Sequence, residues 1–362
     1  MSEELRSMEQ RRANHSGGGG GAMPATMATT VTPPRRTRGE CGGGALRSLL
    51  PSCALLLLLL PAASACFAQE AKIPATTTTP PGAAAGNRSA NLFAGRIEYA
   101  EFPSASLGRS VRYAVSLPAS YDKRSSQRYP LVIFLHGLNN DERDWEKRGI
   151  ETKLEALRAA SKVGEFIVAM PYGANSFYLN ARDGTRYEDA IVRDFLPFID
   201  KTYRTTAAPR SRLIEGISMG GYGALLIAFK HPQLFAGVAA HSAALFDELP
   251  QPPKSPEDRG GKYRYDLATK LFGTPPEPAF FQVNNPLHLA RTNAAPIKRL
   301  KIYFDIGESD RYGFERGNAQ LSAVLKAAGV AHEYTLAPGA HGWSFLSDRS
   351  EPAFTFVWNT VR

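Results

Sequence analysis

The chain has 362 residues, with 43 Lys and Arg against 34 Asp and Glu, 43% hydrophobic and 21% charged. This is a globular balance, with length for one large domain or two small ones, and it excludes a chain disordered throughout, a collagen and a polytopic membrane protein. Of the formal +9, residues 1–66 hold seven Arg against four Glu, which puts +3 there and leaves +6 for the rest. That mild surplus, without any Lys/Arg run, excludes a nucleic-acid stripe as partner surface. All three cysteines, Cys41, Cys53 and Cys66, precede residue 67, so the remainder can form no disulfide and no thiolate metal site.

Taken in chain order, Ala54–Pro61 reads ALLLLLLP, an apolar run of signal-peptide length that is too short to span a bilayer. Arg35, Arg36, Arg38 and Arg47 precede it and Ala62-Ala63-Ser64-Ala65 follow, with cleavage expected after Ala65 or Ala68. The expected destination is therefore the periplasm or the extracellular space. The Gly-rich stretch before this run is unlike a usual n-region, so translation is expected to start at Met23 or Met27 and not at Met1. Ala63-Ser64-Ala65-Cys66 is also a weak lipoprotein signal, and a membrane partner is expected only if Cys66 is lipidated. Residues 69–91, rich in Thr, Pro, Ala and Gly, read as a flexible linker after the leader of residues 1–68. The folded domain is expected over residues 92–362.

Within it, β-type runs alternate with helical ones. Strands are predicted at Arg96–Tyr99, Val111–Leu117, Leu131–Leu135, Phe166–Met170, Leu213–Gly216, Gly237–Ala240, Lys301–Ile306 and Glu333–Leu336. Three of these runs, LVIFL, FIVAM and KIYFDI, are nearly continuously apolar, as strands covered on both faces must be. Helices are predicted near Trp145–Ala160, Tyr187–Lys201, Gly220–Lys230, Phe314–Ala328 and Pro352–Val361. The alternation predicts an α/β fold: a mostly parallel central sheet with helices on both faces. Leu245–Arg291, rich in Pro and aromatic residues, is too long for an ordinary loop and reads as a lid-like excursion over the carboxyl edge of the sheet.

Gly216-Ile217-Ser218-Met219-Gly220 is a G-x-S-x-G motif directly after a strand and directly before a helix. A nucleophile on such a turn takes a strained backbone, and glycines two before and two after it remove the side chains that would clash. The helix N-terminus directs free amides at the same spot, favouring the negative charge that develops when an acyl carbonyl is attacked. A serine needs a base, and the chain order Ser, acid, His leaves His288, His332 and His341. His341 is preferred, because Pro338-Gly339-Ala340-His341-Gly342-Trp343 is a Gly-flanked loop beyond the last strand. His332 opens a strand and His288 lies in a Pro-Leu-His-Leu segment, positions that suit packing or capping. The acid is placed at Asp310, just beyond the end of its strand; Asp305 within the strand and Glu308 in the turn are the alternatives. Leu131–Leu135 runs into His136-Gly137-Leu138, so the backbone amides of Leu138 and Met219 are the expected oxyanion donors.

On these residues the chain resembles the "Putative esterase" family of α/β hydrolases, which includes feruloyl esterases, tributyrin-type esterases, S-formylglutathione hydrolase (esterase D) and the mycolyltransferases. The motifs that carry the resemblance are FLHGLNNDERDW at Phe134–Trp145, GISMGGYGAL at Gly216–Leu225 with the KHPQLFAGVAAHS after it, GESD at Gly307–Asp310 and PGAHGW at Pro338–Trp343. It covers residues 95–360 and implies an α/β-hydrolase fold. It also implies Ser218 as nucleophile, His341 as base, Asp310 as acid and the Leu138 and Met219 amides as the oxyanion hole. His241-Ser242 departs from the family's usual small Ser-Gly pair. The implied activity is that of an exported serine carboxylesterase acting on feruloyl, acetyl or short-chain acyl esters, small or polysaccharide-linked, without metal or organic cofactor. Acyl transfer to a sugar acceptor, and a non-catalytic binding relative, are the alternatives. Trp145, Tyr178 and His241 are expected to touch substrate, with Tyr172 and Phe177 as further aromatic candidates.

Overall fold

The computed structural model describes residues 95–362. The leader, the candidate start codons, Cys66, the linker and residues 92–94 lie outside the described residues.

Eight strands form one sheet: β1 (Arg96–Ser104), β2 (Arg109–Leu117), β3 (Leu131–Leu135), β4 (Ile167–Pro171), β5 (Arg212–Ile217), β6 (Gly237–His241), β7 (Lys301–Ser309) and β8 (Glu333–Ala340). Their spatial order is β1-β2-β4-β3-β5-β6-β7-β8. β1 and β2 pair antiparallel, β2 meets β4 antiparallel, and every pairing from β4 to β8 is parallel. Every residue of β3, β4, β5 and β6 is buried, which is why these runs contain few polar residues.

The period of two sorts their side chains between two cores. In β3, Leu131, Ile133 and Leu135 join the core beneath the helix Met219–Lys230, whereas Val132 and Phe134 face Ile150, Leu154, Phe354 and Val357 on the other side. The latter four belong to the helices Ile150–Ala159 and Ser350–Val361. The sheet is thus covered on both faces, as expected.

Differences from the predicted elements have local causes. The helix expected over Trp145–Ala160 is two, Asp144–Lys147 and Ile150–Ala159, because Gly149 adopts φ 72° between them. Over Tyr187–Thr202 the chain stays helical but passes through a π segment at Ala190–Phe195. The stretch Leu245–Arg291 contains three helices, Arg259–Phe272, Pro278–Val283 and Pro286–Thr292. The last is firmly set into the fold. Asn285 accepts the Leu287 amide at 2.8 Å and donates to the Phe246 carbonyl at 2.9 Å, while Leu287 and Ala290 are buried. No helix among the described residues is long and apolar enough to cross a membrane.

Candidate active site

Three strand ends assemble the site. β5 ends at Ile217, and Ser218 follows with φ 57° and ψ −115°, a strained conformation for a residue with a side chain, before the helix Met219–Lys230 begins. The flanking glycines are sterically required: a Cβ on Gly216 would stand 2.3 Å from the Gly220 carbonyl oxygen, and one on Gly220 would stand 1.9 Å from that of Leu135. The turn is pinned to the sheet as the Ser218 amide donates to the His241 carbonyl at 2.8 Å.

The partners arrive from β7 and β8, which run in parallel to the paired residues Ser309 and Ala340 past an irregularity between Gly307 and Ser309. Asp310 and His341 are the next residues of each chain segment, so the pairing itself sets carboxylate beside imidazole. His341 Nδ1 lies 2.6 Å from Asp310 Oδ2, and His341 Nε2 lies 2.9 Å from Ser218 Oγ. The Tyr312 amide donates to the other carboxylate oxygen at 2.9 Å, and the Asp310 side chain is fully buried. The geometry therefore joins Ser218, His341 and Asp310 in one relay. With Nδ1 donating to the carboxylate, Nε2 is left to accept the serine proton.

The other candidates are engaged elsewhere. His332 hydrogen-bonds Ser322 and the Val330 carbonyl and stacks on Phe304. His288 lies within the helix Pro286–Thr292, and Glu308 is exposed at the end of β7. Asp305 is buried against His241.

The Leu138 and Met219 amides have no protein acceptor among the described residues. Gly137 lies against the nucleophile, since a Cβ there would stand 3.5 Å from Ser218 Cβ. His136 orders this segment: Nδ1 donates to the Gly137 carbonyl at 2.8 Å and Nε2 accepts the Gly173 amide at 2.9 Å. One nitrogen donating and one accepting requires the neutral imidazole, and burial lowers its pKa in agreement. Asn139 and Asn175 then clasp each other, with the Asn139 amide donating to Asn175 Oδ1 and Asn175 Nδ2 donating to Asn139 Oδ1, each at 2.8 Å.

Ser218 and His341 open into a cavity of about 490 Å³, whose walls include Leu138, Phe177, Tyr263, Tyr312, Phe314 and Trp343. Three residues expected to touch substrate are not among its walls. Trp145 is 2% exposed, donates to Glu151 at 2.6 Å and packs on Phe134 and Phe354. Tyr178 is fully buried with its hydroxyl on the His136 carbonyl.

His241, the third, points into the opposite core from the end of β6. There Nδ1 donates to Asp305 at 2.8 Å and Nε2 to Glu215 at 2.9 Å. Burial alone would lower its pKa, but the two carboxylates outweigh that and raise it to about 10, so it is a buried imidazolium. Tyr303 donates to the second oxygen of Asp305 at 2.6 Å. Of the further aromatic candidates, Phe177 lines the cavity, whereas Tyr172 stacks on His136 outside it. Sequence reasoning did not single out Tyr263, Arg311, Tyr312 and Phe314; the available signals were the place of Tyr263 in the Leu245–Arg291 excursion and the proximity of the other three to Asp310. No group of three or more His, Cys, Asp or Glu among the described residues could hold a metal ion.

Comparison with known proteins places this geometry in context. A 26% identical esterase of Mycobacterium tuberculosis aligns over 287 residues, 68% of this chain and 56% of its own. An endo-1,4-beta-xylanase/feruloyl esterase of Xylanibacter ruminicola is 29% identical over 44% of this chain and 23% of its own length. An acetyl esterase of Caldicellulosiruptor saccharolyticus is 26% identical over 64% of this chain and 84% of its own. The chain thus spans about half of the first of these relatives and about a quarter of the second. Among solved structures, a ferulic acid esterase superposes with TM-score 0.63 at 23% identity, covering 75% of this chain and all of that one. The S-formylglutathione hydrolase of Agrobacterium tumefaciens gives 0.59 at 20% identity, covering 75% and 97%. These likenesses establish the α/β-hydrolase fold. The model of the family described as "Putative esterase" matches residues 104–347, two thirds of the sequence, and the chain belongs to that family.

Proposed function

We propose that the protein is an exported serine carboxylesterase that works through an acyl-enzyme. The observation that carries this reading is the Ser218–His341–Asp310 relay, at 2.9 and 2.6 Å, on a strained turn that opens into the cavity. Ser218 Oγ attacks the ester carbonyl carbon while His341 Nε2 takes its proton. Asp310 remains ionised, holds the ring in the required tautomer and stabilises the imidazolium. The carbonyl oxygen, now an oxyanion, is received by the Leu138 and Met219 amides, each such donor contributing about 2.7–4 kcal/mol to lowering the barrier. His341 then returns the proton to the leaving alcohol as the C–O bond breaks. A water, deprotonated by the same imidazole, attacks the acyl-enzyme and releases the acid and free Ser218.

Feruloyl, acetyl or short-chain acyl esters are the proposed substrates, a choice supported by the feruloyl and acetyl esterases among the relatives. Export, and membrane attachment if Cys66 is acylated, rest on the leader's apolar run and the small residues after it. The test is initial-rate hydrolysis of p-nitrophenyl acetate, p-nitrophenyl butyrate and methyl ferulate by the wild type and Ser218→Ala. Activity on at least one that falls by orders of magnitude in the variant is expected. Equal rates for the two proteins on all three would refute the reading.

A further inference from the structure

The outer rim of the cavity has a composition that ester cleavage itself does not call for. Tyr263, on the helix Arg259–Phe272, and Tyr312, just after Asp310, line the cavity yet are 50% and 42% exposed. Between them they supply two of the five exposed large hydrophobic side chains among the described residues. Such aromatic surface at the mouth of a cavity is a common mark of ligand contact. The two phenols are neighbours: burial, and then the proximity of Tyr312, raise the pKa of Tyr263. Arg311 stands over the Tyr312 ring, with its guanidinium 4.9 Å from the ring centroid and Nη2 donating to the Tyr312 hydroxyl at 2.9 Å.

The lining contains two arginines and no carboxylate. Arg148 is compensated by Asp144 at 3.2 Å, whereas Arg311 has no carboxylate partner among the described residues. The chemistry of the relay fixes which part of a substrate meets this rim. His341 must hand its proton to the leaving alcohol, so that alcohol lies on the imidazole's side, and the Tyr312 ring packs edge-on to the imidazole at 4.7 Å.

We infer that Tyr263, Arg311 and Tyr312 form a subsite for the alcohol portion of the ester, and that this portion is a sugar ring bearing a carboxylate. Tyr263, half exposed, offers aromatic surface to the ring, and the planar guanidinium, set over the Tyr312 ring, suits a carboxylate held by two parallel hydrogen bonds. The inference rests on the esterase reading of the same site.

Its test uses the full chain and two probes with one acyl group: mono-O-acetyl methyl galactosiduronic acid and the neutral mono-O-acetyl methyl galactoside, with acetate release measured. At low salt the acidic probe is expected to have a kcat/KM about tenfold or more higher, the size of one charge-assisted hydrogen bond. That advantage is expected to shrink in high salt and to vanish in Arg311→Gln. Equal kcat/KM for the two probes, or an advantage that survives Arg311→Gln, overturns the inference. Calorimetry on Ser218→Ala reads the subsite without turnover: trigalacturonate is expected to bind more tightly than galactotriose, and equal binding overturns the inference. Tight trigalacturonate binding by a protein that hydrolyses no ester would separate failure of the esterase reading from failure of the subsite.

Discussion

Replacing Asp310 by Asn changes one atom type and almost no volume, yet the surrounding hydrogen bonds dictate a large effect. One carboxylate oxygen accepts the Tyr312 amide at 2.9 Å and the other faces His341 Nδ1 at 2.6 Å. The backbone donor can be satisfied only by the Asn oxygen, so the Asn NH₂ is turned toward His341. Nδ1 must then accept, the ring proton moves to Nε2, and Nε2 faces Ser218 Oγ as a donor that cannot remove the serine proton. In serine proteases the equivalent change lowers kcat about ten-thousandfold, about 5 kcal/mol in the barrier, and a loss of that order is expected here. The assay is steady-state hydrolysis of p-nitrophenyl butyrate, with unfolding in urea as the control for folding. KM is expected to change little, because the cavity walls are untouched. Glu308→Gln, at an exposed position outside the relay, is expected to keep wild-type rates. A kcat for Asp310→Asn within tenfold of wild type in a folded protein would refute the tautomer argument.

Two further perturbations address the frame around the site. His241→Asn removes the buried imidazolium between Glu215 and Asp305, leaving Asp305 with Tyr303 and Arg349 but Glu215 without a cation, which is expected to lower stability by about 3–5 kcal/mol in urea unfolding; a loss below about 1 kcal/mol would contradict a charged His241. Because the folded-state pKa of His241 is raised from 6.5 to about 10, its contribution is complete below pH 6.5 and is lost as the pH rises toward 10, so wild-type stability should decline over that alkaline window. Gly220→Ala would drive a Cβ to 1.9 Å from the Leu135 carbonyl oxygen, and the strand–turn–helix must open to admit it. The expected result is loss of both esterase activity and several kcal/mol of stability; wild-type activity in that variant would show that the turn is not sterically locked.

Much of this architecture is legible from the order of apolar runs. β3 and β4 are buried on both faces, and that burial writes itself as the nearly continuous apolar runs LVIFL and IVAMP, whereas the equally buried β5 and β6 carry Glu215 and His241. The ends of β7 and β8 were less visible. Gly307, Pro338 and Gly339 read as turn residues, yet β8 is an edge strand that tolerates Pro, and a Cβ on Gly307 would stand 2.3 Å from the Gly339 carbonyl oxygen. The helix Arg259–Phe272 was hidden because Gly260 and Gly261 at its start, and the charged residues after them, mask its narrow apolar face; Asp258 caps it by accepting the Gly261 amide. Ser218, Asp310 and His341 could be singled out because strand context and chain order restrict nucleophile, acid and base. Side-chain direction at a strand end has no such signature. His241 lies on the same face of the sheet as Ala239 and Tyr303, away from the cavity, and Trp145 is drawn into the core by Phe134 and Phe354.

The most direct measurement of the nucleophile is stoichiometric labelling of the folded full chain with a fluorophosphonate, followed by intact-mass and peptide mass spectrometry. One label per chain, on the peptide that contains Ser218 and absent from Ser218→Ala, is the expected result. A label on another residue, or none on a protein shown to be folded, would contradict Ser218 as the nucleophile.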